Sequence, residues 1–184
     1  MDLNENVEEY LERFYEILDS MILEMTSIDV DNNISQSFIL QMIALSEAGI
    51  DFSSNLLNHS NNAGIEQLAQ NMIDFYTRTI EDLNHIYTRC ANISNPNTDI
   101  VNYNRAYNYI IENMFVNMSN AVISDDVNIN YINEMIPYHL GAVSLIRNAM
   151  RFQLCGELMP ILRELRIQHS QFVNELRSIY DGVS

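Results

Sequence analysis

The chain has 184 residues, of which 47% are hydrophobic and 18% charged. That is enough apolar material for one compact core, and too little length for two ordinary domains. Nine basic residues, all arginine, face 25 acids for a net charge of −16, which excludes nucleic acid and anionic membrane surfaces as general partners, since both are bound through clustered cations.

The chain opens on MDLNENVEEY, which is acidic and polar, without the basic start and apolar stretch of a secretory signal. Val7, Leu11, Phe14, Leu18, Met21 and Met25 then recur at steps of three and four, one face of a helix over 6–26. The polar IDVDNNIS follows, with Ser35 placed to cap a second helix over 35–58 that carries Phe38, Met42, Leu45, Phe52 and Leu56. NHSNNAG breaks it, and a third helix over 64–90 carries Leu68, Met72, Phe75, Ile80, Leu83 and Tyr87. After the linker ANISNPNTD the same plan returns: a helix over 100–119, the loop AVISDD, a long helix over 128–154, a turn at Cys155–Gly156 and a last helix over 157–180. Pro160 sits in the first turn of that helix, where its missing N–H is harmless.

The two halves align without a gap at an offset of 93 residues. Tyr10 falls on Tyr103, Met21 on Met114, Met42 on Met135, Asn55 on Asn148 and Leu83 on Leu176. Such self-similarity marks a duplicated unit. The expected architecture is all-α: one domain, 1–184, built from two tandem three-helix repeats, 5–90 and 98–183. A hairpin of helices buries only one face. Two hairpins related by a pseudo-twofold axis bury each other, giving a four-helix bundle of 35–58, 64–90, 128–154 and 157–180, with helices 6–26 and 100–119 packed alongside.

Polar residues on the apolar stripes are the informative exceptions. His139 lies four residues after Met135, and His169 four after Leu165. Counted from the turn at 155–156, one is about sixteen residues away and the other about thirteen, an axial mismatch of roughly 4–5 Å on adjacent antiparallel helices. The two imidazoles are therefore expected to face one another. At the 93-residue offset Ser46 and Tyr76 hold the matching places. Two readings follow. One is a transition-metal site on His139 and His169, with Tyr76 as a third group; the other is a hydrogen-bonded polar patch.

The remaining features read plainly. Seven of the ten methionines fall on helical stripes as core filler rather than as copper ligands. Cys90 and Cys155 are too few for a disulfide framework and stand in no CxxC, so they are expected as small, reduced, buried thiols in a cytoplasmic protein. No run approaches the ~20 apolar residues of a membrane span. Phosphate loops, nucleophile elbows and HExxH are absent, so no catalytic residue is assigned and no cofactor is expected apart from the alternative metal ion.

YINEMIPYHLGAV, residues 131–143, resembles the signature of a domain-of-unknown-function family numbered 305, which runs roughly F-x-x-x-M-I-P-H-H-x-G-A-I with a helix reading Q-x-x-E-I some thirty residues on. FILQMIALSEAGI, residues 38–50, resembles it less closely. The resemblance implies a ferritin-like bundle carrying the motif twice. It places Tyr138 and His139 where the signature has two histidines, Leu45 and Ser46 in the first copy, His169 and Phe172 at the Q-x-x-E pair, and Tyr76 and Thr79 in the first copy. The expected function is a non-catalytic ferritin-like binding or structural protein with a degenerate metal site, partnered by another protein or by its own copies. The alternative is a transition-metal-binding protein using His139 and His169.

Overall fold

Asparagine is abundant in this chain, and part of it is spent on helix starts. Asn4 accepts from the N–H of Val7, Asn33 from Gln36, Asn62 from Gly64 and Ile65, and Asp126 plays the same part for Asn128. The expected cap Ser35 is not the cap. Asn33 takes that place, and the Ser35 hydroxyl instead accepts from the backbone N–H of Cys155 at 2.9 Å. In the computed structural model, which describes residues 3–183, these starts open helices α1 (Glu5–Ser27), α2 (Ile34–His59), α3 (Ala63–Tyr87) and α5 (Val127–Ala149). α4 (Asn97–Ser119) and α6 (Leu158–Val183) complete an all-α bundle with no strand among the described residues, and a short 3-10 turn, Arg89–Asn92, follows α3. No helix of the described chain is long and apolar enough to cross a membrane.

α2 and α5 lie at the centre, packed on each other. α1 and α3 flank α2, α4 and α6 flank α5, and the two outer pairs touch, α1 with α4 and α3 with α6. The central helices therefore have almost no outer face: on α5 only Leu140 and Arg147 are exposed. Most of their buried polar side chains find partners inside, Gln41 Nε2 and Asn148 Oδ1 being exceptions. Ser37 and Ser46 of α2, like Thr79 of α3, donate back to carbonyls one turn earlier, those of Asn33, Met42 and Phe75. α4 approaches α5 closely because Gly141 has no Cβ; the Met114 side chain fills that space. The seven stripe methionines, Met21, Met25, Met42, Met72, Met114, Met118 and Met135, are all buried, as core filler should be.

Hydrogen bonds recur at the offset seen in the sequence. Asn55 donates to the Tyr10 carbonyl at 3.0 Å, and Asn148 to the Tyr103 carbonyl at 3.1 Å. Tyr10 reaches across to donate to Glu134 Oε2 at 2.5 Å, while Tyr103 reaches back to donate to Gln41. Glu134 and Gln41 are themselves 93 residues apart. Each half thus lends a phenol to the central helix of the other.

Two expected helix ends are corrected. α3 stops at Tyr87 rather than 90, and α5 at Ala149 rather than 154. Nothing in the residues Arg151 to Leu154 forbids helix. Tertiary ties end it: Asn95 donates to the Gln153 carbonyl at 2.8 Å and accepts from the N–H of Ile34, so the chain is drawn to the start of α2. Cys90 is drawn to the same place, its carbonyl accepting from Asn33 at 2.8 Å.

The two cysteines meet there. Cys90 and Cys155 form a disulfide with Cα atoms 5.4 Å apart, which corrects the expectation of two separate, reduced thiols. The bridge spans 65 residues and ties the end of α3 to the turn before α6. Replacing both cysteines by serine is expected to lower the unfolding free energy by about 4 kcal/mol, the chain-entropy value for a loop of this length. Urea unfolding with and without reductant reads the effect; a midpoint indifferent to reductant would deny the bridge a structural part.

Candidate functional site

Two helices of the second half bring the imidazoles together. His139 projects from α5 and His169 from α6, 0% and 1% exposed. Their Nδ1 atoms lie 2.9 Å apart, a direct hydrogen bond, with ring centroids at 5.1 Å. Tyr76, from α3, places its hydroxyl 3.4 Å from His139 Nε2, on the far side of that ring from His169. Tyr138, next to His139, donates to the Leu45 carbonyl at 2.6 Å. The edges of Phe75 and Phe172 close the cluster over His169 and His139. Gly49 makes room for the two phenols: a Cβ there would stand 2.5 Å from the Tyr138 hydroxyl and 2.6 Å from the Tyr76 ring.

Of the two imidazoles and the two side chains at their matching places, His139, His169 and Tyr76 converge. Ser46 is buried, but its hydroxyl is spent on the Met42 carbonyl at 2.7 Å. Tyr138 is the member that sequence reasoning missed as a site residue. Its adjacency to His139 was the available signal. Neither nearby acid joins. Glu47 is exposed, and Glu134 is taken by Tyr10. Among the described residues no group of three or more His, Cys, Asp or Glu side chains is placed to hold a metal ion.

Proton positions follow from counting donors. A neutral imidazole has one N–H and one bare nitrogen. If His139 donated to His169, the outer N–H of His169 would be a buried donor facing nothing. In the opposite sense every hydrogen is used. His169 donates to His139, His139 Nε2–H to Tyr76, Tyr76 to Tyr138, and Tyr138 to the Leu45 carbonyl. The one group left over is the bare Nε2 of His169, which has no partner among the described residues. An unmet acceptor is the lesser penalty.

Burial sets the charge state. It depresses His139 well below the ordinary histidine range, and the neighbouring His169 pushes the same way. Burial lowers His169 to about 3. It raises Tyr76 well above the usual phenol range. The cluster is thus neutral and sealed, with no acid–base pair poised near neutrality and no activated nucleophile. Apart from it, Glu134 is held as a neutral acid: burial raises it to about 8, against the opposing hydrogen bond from Tyr10.

Searches against protein-family models, curated proteins and solved structures find no match to this chain.

Proposed function

We propose that this chain is a non-catalytic binding or structural protein, a ferritin-like bundle of two copied three-helix units, 5–90 and 98–183, whose core retains the remnant of a metal site. The paired hydrogen bonds at the 93-residue offset support the duplication. The resemblance of residues 131–143 to the family numbered 305 supports the ferritin-like reading. One observation carries the loss of metal: the two Nδ1 atoms bond each other at 2.9 Å, and Tyr76 sits on the opposite nitrogen of His139. Those three groups do not aim at a common point, and a transition-metal site needs three or four ligands that do.

The Cys90–Cys155 disulfide bears on location. The cytoplasmic reading rested on an N-terminal stretch unlike a secretory signal and on too few cysteines for a disulfide framework, with reduced thiols expected to follow. A bridged pair supports an oxidising compartment instead.

Metal analysis of protein purified without a histidine tag tests the core of this reading. Zinc, iron and copper are each expected below about a tenth of an atom per chain, since no complete ligand set is present. Near-stoichiometric metal that disappears in the double variant His139→Ala, His169→Ala would establish the second reading, a transition-metal protein on these two histidines. The unpartnered Nε2 of His169 is the observation that favours that alternative.

A further inference from the structure

We propose that the Cys90–Cys155 bridge is a redox latch that sets the length of α5: bonded, it holds the helix to an end at Ala149, and reduced, it lets the helix run on to Leu154.

Local signals place the end of α5 later than the bridged chain does. Met150, Arg151, Gln153 and Leu154 are all good helix formers, and they continue a helix that is already nucleated. Arg151 stands in the last turn of the longer helix, where free carbonyls attract a cation. Gly156 follows at the second place past Leu154, where a helix commonly stops on a glycine of positive φ. In the bridged chain that glycine has no task. No glycine among the described residues has a positive φ, and a Cβ at Gly156 would meet nothing within 4 Å. Neither a turn nor a close approach requires glycine there, whereas the stop of the longer helix does.

The two forms exclude each other through one N–H. That of Cys155 is given to the Ser35 hydroxyl at 2.9 Å; in the longer helix it bonds the Arg151 carbonyl, four residues back. The end of α5 already tightens where the segment is drawn off it: Arg151 and Phe152 donate three residues back, to Asn148 and Ala149, at 3.2 and 3.1 Å. Besides the bridge and the Ser35 bond, the ties are the Asn95 bond to the Gln153 carbonyl and an exposed ion pair, Arg89 with Glu157 at 3.1 Å. Single hydrogen bonds and exposed pairs contribute less than a bridge between residues 65 apart, so the bridge is the tie whose loss decides.

Reduction takes two electrons and two protons, which a dithiol supplies while itself becoming a disulfide. Its thiolate attacks the sulfur of Cys155, the less buried partner at 6% against 0%, beside the exposed Gly156. The Cys90 sulfur leaves as a thiolate and takes up a proton. The second thiol of the reagent then displaces Cys155 from the mixed disulfide, and that sulfur is protonated in turn. Where disulfides are kept oxidised the short form stands, and a thiol reductant brings the long one. The inference does not depend on whether the histidine pair binds metal.

Nuclear magnetic resonance of the full isotope-labelled chain, bridged and then reduced with excess dithiothreitol, tests it. In the bridged chain the Cα shifts of Gln153 and Leu154 are expected to be non-helical. On reduction those of Arg151 to Leu154 should move to helical values, and the double variant Cys90→Ser, Cys155→Ser should show the same shifts without reductant. Gly156→Val gives an independent reading. Its Cβ meets nothing in the bridged chain, so that form should be unchanged. A β-branched residue is strained at positive φ, so the equilibrium with glutathione should move about tenfold toward the bridged state. A merely structural bridge would not register that substitution. A reduced wild-type chain whose shifts over 150–154 stay where they were, or fall to random-coil values, overturns the proposal. So does a glutathione equilibrium that Gly156→Val leaves unmoved.

Discussion

Glu134→Gln is expected to stabilise the protein by about 3 kcal/mol at pH 7, with the gain growing as pH rises. Glu134 is 3% exposed, and burial raises its carboxyl from 4.5 to about 8. The sign follows from proton counting. Below pH 4.5 the side chain is neutral in both folded and unfolded chains, and the burial is free of ionisation cost. Between 4.5 and about 8 the unfolded chain has ionised while the folded one still holds its proton, so stability falls with rising pH. Above about 8 the folded protein ionises too and the loss levels off near ~5 kcal/mol. Glutamine has the same shape and never ionises. It already serves this purpose at Gln41, which accepts from Tyr103 as Glu134 accepts from Tyr10. Urea unfolding of both proteins from acid to alkaline pH reads the prediction. The curves should meet near pH 4.5 and diverge above it; parallel curves, or a glutamine variant weaker at alkaline pH, would show that Glu134 is not held neutral.

That glutamate shows where reading the sequence stops. Glu134 precedes the seam methionine Met135 and so lies about 100° around the helix from it, a position that ordinarily faces water. Periodicity locates a stripe, and the other side is taken as solvent. That assumption fails for α5, which is enclosed by α2, α4 and α6 and has no wet side at Glu134. The histidine pair was legible for the opposite reason. Steps of four residues and a rise of ~1.5 Å are rigid properties of a helix, so the register of two antiparallel helices around one turn can be counted. The proton direction within the pair could not be counted, because it depends on Tyr76, Tyr138 and the Leu45 carbonyl arriving from other helices. The disulfide was hidden in the same way. Cys90 and Cys155 are 65 residues apart, and only the gathering of both at the start of α2, through Asn33 and Ser35, brings them together. The caps show a milder failure. Asn33 and Ser35 are both good capping residues, and a tertiary demand for the serine hydroxyl decides between them.

The double variant His139→Leu, His169→Leu is expected to reverse the response of the protein to acid. His169 is lowered by burial from 6.5 to about 3, and His139 is lowered by burial and by its neighbour. A depressed imidazole contributes stability that is complete above 6.5 and is lost as pH falls toward the folded value. Between 6.5 and 4.5 the unfolded chain takes up a proton at His169 while the folded chain does not, a loss of about 3 kcal/mol over that window, and His139, depressed in the same sense, adds to it. Glu134 acts the other way, offsetting about one imidazole's share, because the native protein already holds that proton. Stability should therefore peak near pH 6.5, falling on the acid side through the histidines and on the alkaline side through Glu134. Removing both imidazoles deletes the acid limb and leaves Glu134 alone. The variant should lose about 1–3 kcal/mol at pH 7 through broken hydrogen bonds around Tyr76. It should then grow more stable, not less, as pH is lowered from 6.5 to 4.5. A merely structural part for the pair would shift the whole curve down without changing its slope. An acid limb that persists in the double variant would mean that the imidazoles are not neutral in the folded protein, and that the hydrogen-bonded chain from His169 to the Leu45 carbonyl is wrongly assigned.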